Sequence, residues 1–268
     1  MRFMIRCDIE GVTGVVHPDQ AAPNGPEYAY GVDMLHNDLN AVVDGILSTG
    51  EHDIVIYDMH YYGRNLDMAR LDPRVKVICG KPNYKPGNVG GLTAGFDGQI
   101  LLGLHSKAGT GELLAHSYEH QVQDILLNDV SVGEIGLEAA LAGELDVPTV
   151  LVTADSAGCA EAEALIPGIA TVAVKESISL HAGVCYPAEK TSELLFNGGI
   201  AAVDKASTLP PYITQQPVTL AIELEDGPFA DHVRANLQQY VQPDGRIVII
   251  ANSVAAAWEQ YLLAKPIG

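Results

Sequence analysis

Several side chains able to bind a metal ion or move a proton stand directly after short apolar runs. Asp8 and Glu10 follow the run from Phe3 to Cys7, and Asp58 and His60 follow Ile54 to Tyr57. His105 follows Ile100 to Leu104, and Asp155 follows Thr149 to Val152. In an open parallel sheet the ligand site lies outside the carboxyl ends of the strands, so four strands would deliver carboxylates or imidazoles to one rim. Glu134, at the start of a helical pattern just past the Asn128-Asp129 turn, adds a further carboxylate. Carboxylates together with neutral imidazoles suit zinc, in a number beyond the needs of one tetrahedral catalytic ion. Two ions about 3.5–4 Å apart, sharing a carboxylate and a water, would use them better and would clamp both nucleophile and substrate oxygen. The competing role for Glu10, Asp58, Glu134 and Asp155 is to cap the helices that follow, and a histidine after a strand is commonly a hydrogen-bonded loop residue. The convergence of the set is what favours metal.

A rival arrangement spans His116 to His120, which spells H-x-x-E-H, the inverted zincin pattern of two helix-face histidines and a glutamate base. No clear downstream helix offers its third ligand, and it would leave His60 and His105 without a purpose. His17, His36, His52, His181 and His232 fall in polar loops or on helical patterns, where solvent exposure is expected. Gly109-Thr110-Gly111 begins a dinucleotide fingerprint, but Leu114 stands where the third glycine belongs. The phosphate-binding loop, the G-x-S-x-G elbow and H-E-x-x-H are absent from the sequence. The glycine-rich stretch from Pro86 to Gly95 reads as a surface connection.

The elements that must position these residues alternate in type. Further apolar runs lie at Val75 to Ile78 and Ala170 to Val174, and helical patterns cover Pro26 to Ser48, Glu134 to Leu145, Ala157 to Leu165 and Ala188 to Ala206. Near-continuous apolar runs between amphipathic segments predict parallel strands buried on both faces, hence an α/β fold with a layered, mostly parallel sheet flanked by helices. Asn128-Asp129 predicts a tight hairpin turn. The Pro-rich segment from Ser207 to Pro217 divides a core over 1–208 from a smaller C-terminal α/β subdomain over 209–268. That subdomain is expected to contain strands at Val218 to Leu224 and Arg246 to Ala251, with helices at Phe229 to Tyr240 and Val254 to Leu263.

Composition narrows the partners. Among 268 residues, 15 Lys and Arg stand against 34 Asp and Glu, a net charge of −19 that repels nucleic acid and anionic lipid. No apolar run approaches the ~18 residues of a membrane span, and the amino terminus lacks a signal-peptide pattern, so a cytoplasmic protein is expected. Cys7, Cys79, Cys159 and Cys185 are widely spaced and read as buried free thiols.

The sequence resembles the bacterial D-aminopeptidase (DppA-like) family of dinuclear zinc peptidases. The resemblance rests on Asp8-Ile9-Glu10-Gly11 with Thr13-Gly14, Asp58-x-His60, Leu102-Gly103-Leu104-His105 and Ala115-His116-Ser117. It continues through Asn128-Asp129, Val132-Gly133-Glu134-Ile135-Gly136-Leu137, Asp146-Val147-Pro148, Glu161-Ala162-Glu163 and Ala173-Val174-Lys175, and weakens beyond Ser207. It implies that Asp8, Glu10, His60, His105 and Glu134 bind two zinc ions per chain, with Asp8 as the bridge, and that His116 is a catalytic residue beside them. The implied reaction is hydrolysis of the amino-terminal residue, of D configuration, from short peptides or amino acid amides by a dimetal-bound hydroxide. His116 would serve as general base, as proton donor to the departing amine or as oxyanion stabiliser. The resemblance further implies a homo-oligomer, a decamer of stacked rings, and sets aside the H-x-x-E-H motif, since it uses His116 without Glu119 or His120.

Overall fold

The computed structural model describes residues 1–266. Its first half runs β1 (Arg2–Cys7), α1 (Pro18–Ala21), α2 (Tyr28–Ser48), β2 (Asp53–Asp58), β3 (Lys76–Ile78), β4 (Tyr84–Lys85), β5 (Asn88–Val89), β6 (Gly98–Leu104), β7 (Val122–Leu127) and β8 (Val130–Ser131). It continues with α3 (Gly133–Gly143), β9 (Thr149–Asp155), α4 (Ser156–Leu165), β10 (Ala170–Ser179), β11 (Ala182–Cys185) and α5 (Ala188–Ala206). The last part contains β12 (Val218–Leu224), α6 (Pro228–Asn236), β13 (Ile247–Ala251) and α7 (Val254–Ala264).

The main sheet has the order β11-β10-β9-β6-β1-β2-β3, parallel except where β11 runs antiparallel to β10. β6 and β9 are buried at every residue, as a sheet covered on both faces requires. Period-two alternation divides β1 between two cores. Phe3, Ile5 and Cys7 meet the apolar stripes of α2 and α5, whereas Met4 faces the core shared with α3 and α7. Strand β1 lies between β2 and β6, so the chain reverses its direction of sheet growth at β1, and the crevice beyond its carboxyl end is a topological switch point.

A second sheet, β13-β12-β7-β8, is antiparallel. It combines the two strands of the C-terminal segment with β7 and β8, which precede α3. Asn128 and Asp129 form the expected tight turn between β7 and β8, both with left-handed φ, 48° and 67°. The glycine-rich stretch is more than a surface connection: β4 and β5 form a hairpin whose Tyr84 and Val89 are buried, as is Leu92 just beyond it. The thiols also depart from expectation, for Cys7 and Cys159 are buried but Cys79 and Cys185 are exposed.

Beneath the site, on the Met4 face of β1, lies a buried ion pair. Arg6 and Glu138 are both fully buried, with guanidinium and carboxylate 2.6 Å apart. Arg6 also donates to Tyr84 Oη at 2.6 Å and to the Val89 carbonyl, while Tyr84 and Tyr118 each donate to Glu138 Oε1 at 3.0 Å. Removing one partner strands the other charge in the core, so Arg6→Met should cost about 3–5 kcal/mol of stability, measured from urea unfolding. Arg6→Met combined with Glu138→Leu should recover much of that loss.

Candidate metal centre

The expected strand-end residues meet at the switch point. Asp8 and Glu10 leave β1, His60 leaves β2, His105 leaves β6, and Glu134 lies in the first turn of α3; all five are buried. The loop after β1 needs a glycine: a Cβ at Gly11 would lie 1.7 Å from the Leu104 carbonyl oxygen, because Gly11 N donates to Gly103 O at 2.7 Å. Lys175, fully buried, ties this loop down by donating to the carbonyls of Glu10 at 2.6 Å, Val12 at 2.8 Å, and Val15. Thr13 adds bonds of 2.8 Å from its N and Oγ1 to the buried Asp38.

The hydrogen bonds on the far sides of the histidines define their tautomers. His60 Nε2 is 2.8 Å from the Ala21 carbonyl, which can only accept, so that nitrogen carries the proton in the neutral ring. Its Nδ1 lone pair then faces Asp8 Oδ1 at 2.7 Å and Glu10 Oε2 at 3.1 Å. His105 donates through Nδ1 to Ser106 O at 3.0 Å, turning Nε2 toward Glu134 Oε1 at 3.4 Å and Asp8 Oδ2 at 3.6 Å. His116 donates through Nδ1 to Leu114 O at 2.8 Å, and its Nε2 stands 4.0 Å from Glu134 Oε1. Its ring stacks on that of His105 at 4.1 Å, with 8° between the planes. Pinning one ring nitrogen to a carbonyl is how proteins orient the other toward a metal.

Lone pairs facing carboxylates repel unless a proton or a cation lies between them. His105 Nε2 and Glu10 Oε2 are buried with no hydrogen-bond partner. Asp8, Glu10 and His105 form one group whose ligand atoms lie within 4.8 Å of one another, and His105, His116 and Glu134 form a second. His60 stands outside both groups by that measure, although Nδ1 touches two of their carboxylates. Burial pushes the Asp8 and Glu134 carboxyls up, but bonding to the histidines outweighs it and holds both below their ordinary range. Burial pushes His60 and His105 down, yet the carboxylates hold both well above the ordinary histidine value. The cluster demands positive charge, and the donor set of carboxylates and imidazoles fits zinc.

The remaining strand-end acids have other work. Asp155 caps α4, accepting from Gly158 N at 3.1 Å and Ala157 N at 3.3 Å. Asp58 accepts from Asn65 N at 2.6 Å and Nδ2 at 2.8 Å, shaping the turn that presents His60. Residues 116–120 are not helical, so the inverted zincin geometry is missing, and Glu119 turns away to Tyr261 and Lys265. His36, expected to be exposed, is buried; it donates to Val32 O at 2.7 Å and accepts from Asp67 N at 2.9 Å. A cavity of about 130 Å³ opens beside the cluster, with Glu10, His116 and His120 at its polar end and Ala21, Leu114 and Leu180 among its apolar walls.

The fold and this cluster define a peptidase class: the chain belongs to the D-aminopeptidase family, whose sequence model matches residues 1–261. The D-aminopeptidase of Bacillus subtilis (strain 168) is 31% identical over 224 residues, covering 83% of this chain and 81% of that protein. A solved structure, that of the Zn-dependent D-aminopeptidase DppA from Bacillus subtilis, a self-compartmentalizing protease, superposes with a TM-score of 0.89. The two are 27% identical, over 98% of this chain and 96% of the other.

One carboxyl near the cluster, named from sequence only within the Glu161-Ala162-Glu163 motif, was given no role there. Glu161 Oε2 accepts from Lys107 N at 2.9 Å, bracing the turn after His105, while its Oε1 is buried without a partner. Burial pushes this carboxyl up to about 7. The native protein therefore keeps a proton that the unfolded chain has released at its ordinary carboxyl value, and stability from this group falls as pH rises through about 7. Glu161→Gln should flatten the pH dependence of Tm over that window and stabilise the protein by about 1–2 kcal/mol at pH 8.

Proposed function

We propose that this chain removes an amino-terminal residue of D configuration from short peptides or amino acid amides, with zinc as its metal. Asp8, Glu10, His60, His105 and Glu134 would hold two ions, with Asp8 between them. The observation that carries this reading is the set of histidines pinned by carbonyls on one side and aimed at three buried carboxylates on the other. Zinc there would supply Lewis acidity, polarising a carbonyl oxygen and acidifying water.

The chain's own groups do the rest. His116 has Nδ1 fixed as the donor to Leu114 O, so Nε2 is free to take a proton and return it to the departing amine. Glu10, which lines the cavity beside His116, would receive the substrate's ammonium group. The apolar walls exclude water from around the side chain of the residue to be released. The self-compartmentalizing relative supports a homo-oligomer here as well. A decamer of stacked rings would admit only short peptides.

Metal analysis paired with hydrolysis of matched D- and L-aminoacyl amides, before and after chelation, tests the reading. About two zincs per chain and chelator-sensitive, D-selective cleavage are expected. Bound metal without cleavage of either enantiomer would defeat it. His105→Ala should lose zinc. His116→Ala should keep it while turnover falls at least about 100-fold, and His120→Ala should keep both zinc and turnover. Loss of zinc from the His116 variant would make that residue a ligand.

A further inference from the structure

We propose that the C-terminal helix α7 latches the segment 116–120 and so positions His116 against Glu134. Glu119 is the catch of this latch. Its Oε2 accepts from Tyr261 Oη at 3.0 Å, and its Oε1 accepts from Lys265 Nζ. One residue earlier, the Tyr118 ring packs on Trp258 at 4.8 Å between centroids, and Trp258 stacks on Tyr261 at 4.9 Å. Trp258 and Tyr261 are at most 1% exposed, so the latch is anchored in the core.

The segment needs such a hold because its own bonding is sparse. Its regular pairing is one isolated bridge between Ser117 and Glu119, and Leu114 and Tyr118 carry left-handed φ values of 51° and 60°. Bulky residues stay in that region only where their surroundings impose it, and such sites cluster at functional centres. On its inner side Tyr118 reaches two turns of α3, through N to Glu134 Oε1 at 2.7 Å and through Oη to Glu138 Oε1 at 3.0 Å. Helix α7 holds the outer side. Between them the backbone leading to His116 is fixed, which places its ring on His105 and its Nε2 toward Glu134. Glu119, Tyr261 and Lys265 are thus positioning residues acting through His116. This inference rests on the reading of His116 as the catalytic group.

The experiment compares zinc-loaded full-length protein with Glu119→Gln, Tyr261→Phe, Lys265→Met and Lys265→Arg. For the first three, kcat should fall by about 10- to 100-fold, the scale expected when a catalytic group is displaced by a fraction of an ångström to an ångström. KM, zinc content and Tm should stay near wild type, and Lys265→Arg should retain turnover. Glu119→Gln combined with Tyr261→Phe should be no worse than the more damaged single variant, since both remove one contact. Amide hydrogen exchange supplies a readout independent of activity: residues 115–120 should exchange at least about tenfold faster in the first three variants while β1 is unchanged. Unchanged exchange overturns the latch, and faster exchange with wild-type kcat overturns its positioning role. If the wild-type protein cleaves no peptide or amide, the functional proposal fails by itself, and the exchange rates still decide whether α7 holds the segment.

Discussion

Three carboxylates, those of Asp8, Glu10 and Glu134, are buried around one small volume at the end of the central strand. Like charges in a low-dielectric interior repel strongly, and in this protein no Lys or Arg side chain pairs with them among the described residues; their charged partners are histidines. That charge deficit is the constraint on which the site depends. It accounts for the unpartnered nitrogen of His105 and oxygen of Glu10, and for the preference of the cluster for cations. The strongly acidic surface of the chain adds to the same field.

Holding such a cluster together takes rigid support beneath it. Lys175 directs its ammonium protons to three carbonyls of the loop that carries Asp8 and Glu10, so a buried cation stabilises the site through backbone and does not pair with the carboxylates. The Arg6–Glu138 pair performs a related task one helical turn below Glu134. Through Tyr118 it joins α3, the β4–β5 hairpin and the segment bearing His116 into one hydrogen-bonded unit. A buried network of this kind is worth more as a geometric constraint than as stability.

The cavity beside the cluster brings polar and apolar side chains together. Its polar lining of Glu10, His116 and His120 comes from two loops, those after β1 and β6, and its apolar walls come from α1, from the strained Leu114 and from Leu180 beyond β10.

Much of this was legible in the residues themselves. Apolar runs followed by Asp8, His60 and His105 had to become buried parallel strands, and strand ends in such sheets converge, so the residues that meet at the cluster could be named from the sequence. Helix α5 was delimited to the residue for the same reason: its amphipathic pattern is local. The tertiary structure decided what depends on contacts between distant segments. Asp58 and Asp155 occupy the same strand-end positions as the cluster residues, yet Asn65 and the first turn of α4 claim them, and no local pattern distinguishes these outcomes. The H-x-x-E-H motif has helix spacing, but α3 and α7 impose a left-handed turn that carries Glu119 away from the site. His36 lies on a helical pattern and is buried because the Asp67 loop packs over it, and Arg6 and Lys175 find their partners 132 and about 165 residues away in the chain. Periodicity fixes which face of an element is buried, whereas the pairing of buried polar groups is settled only when the chain is folded.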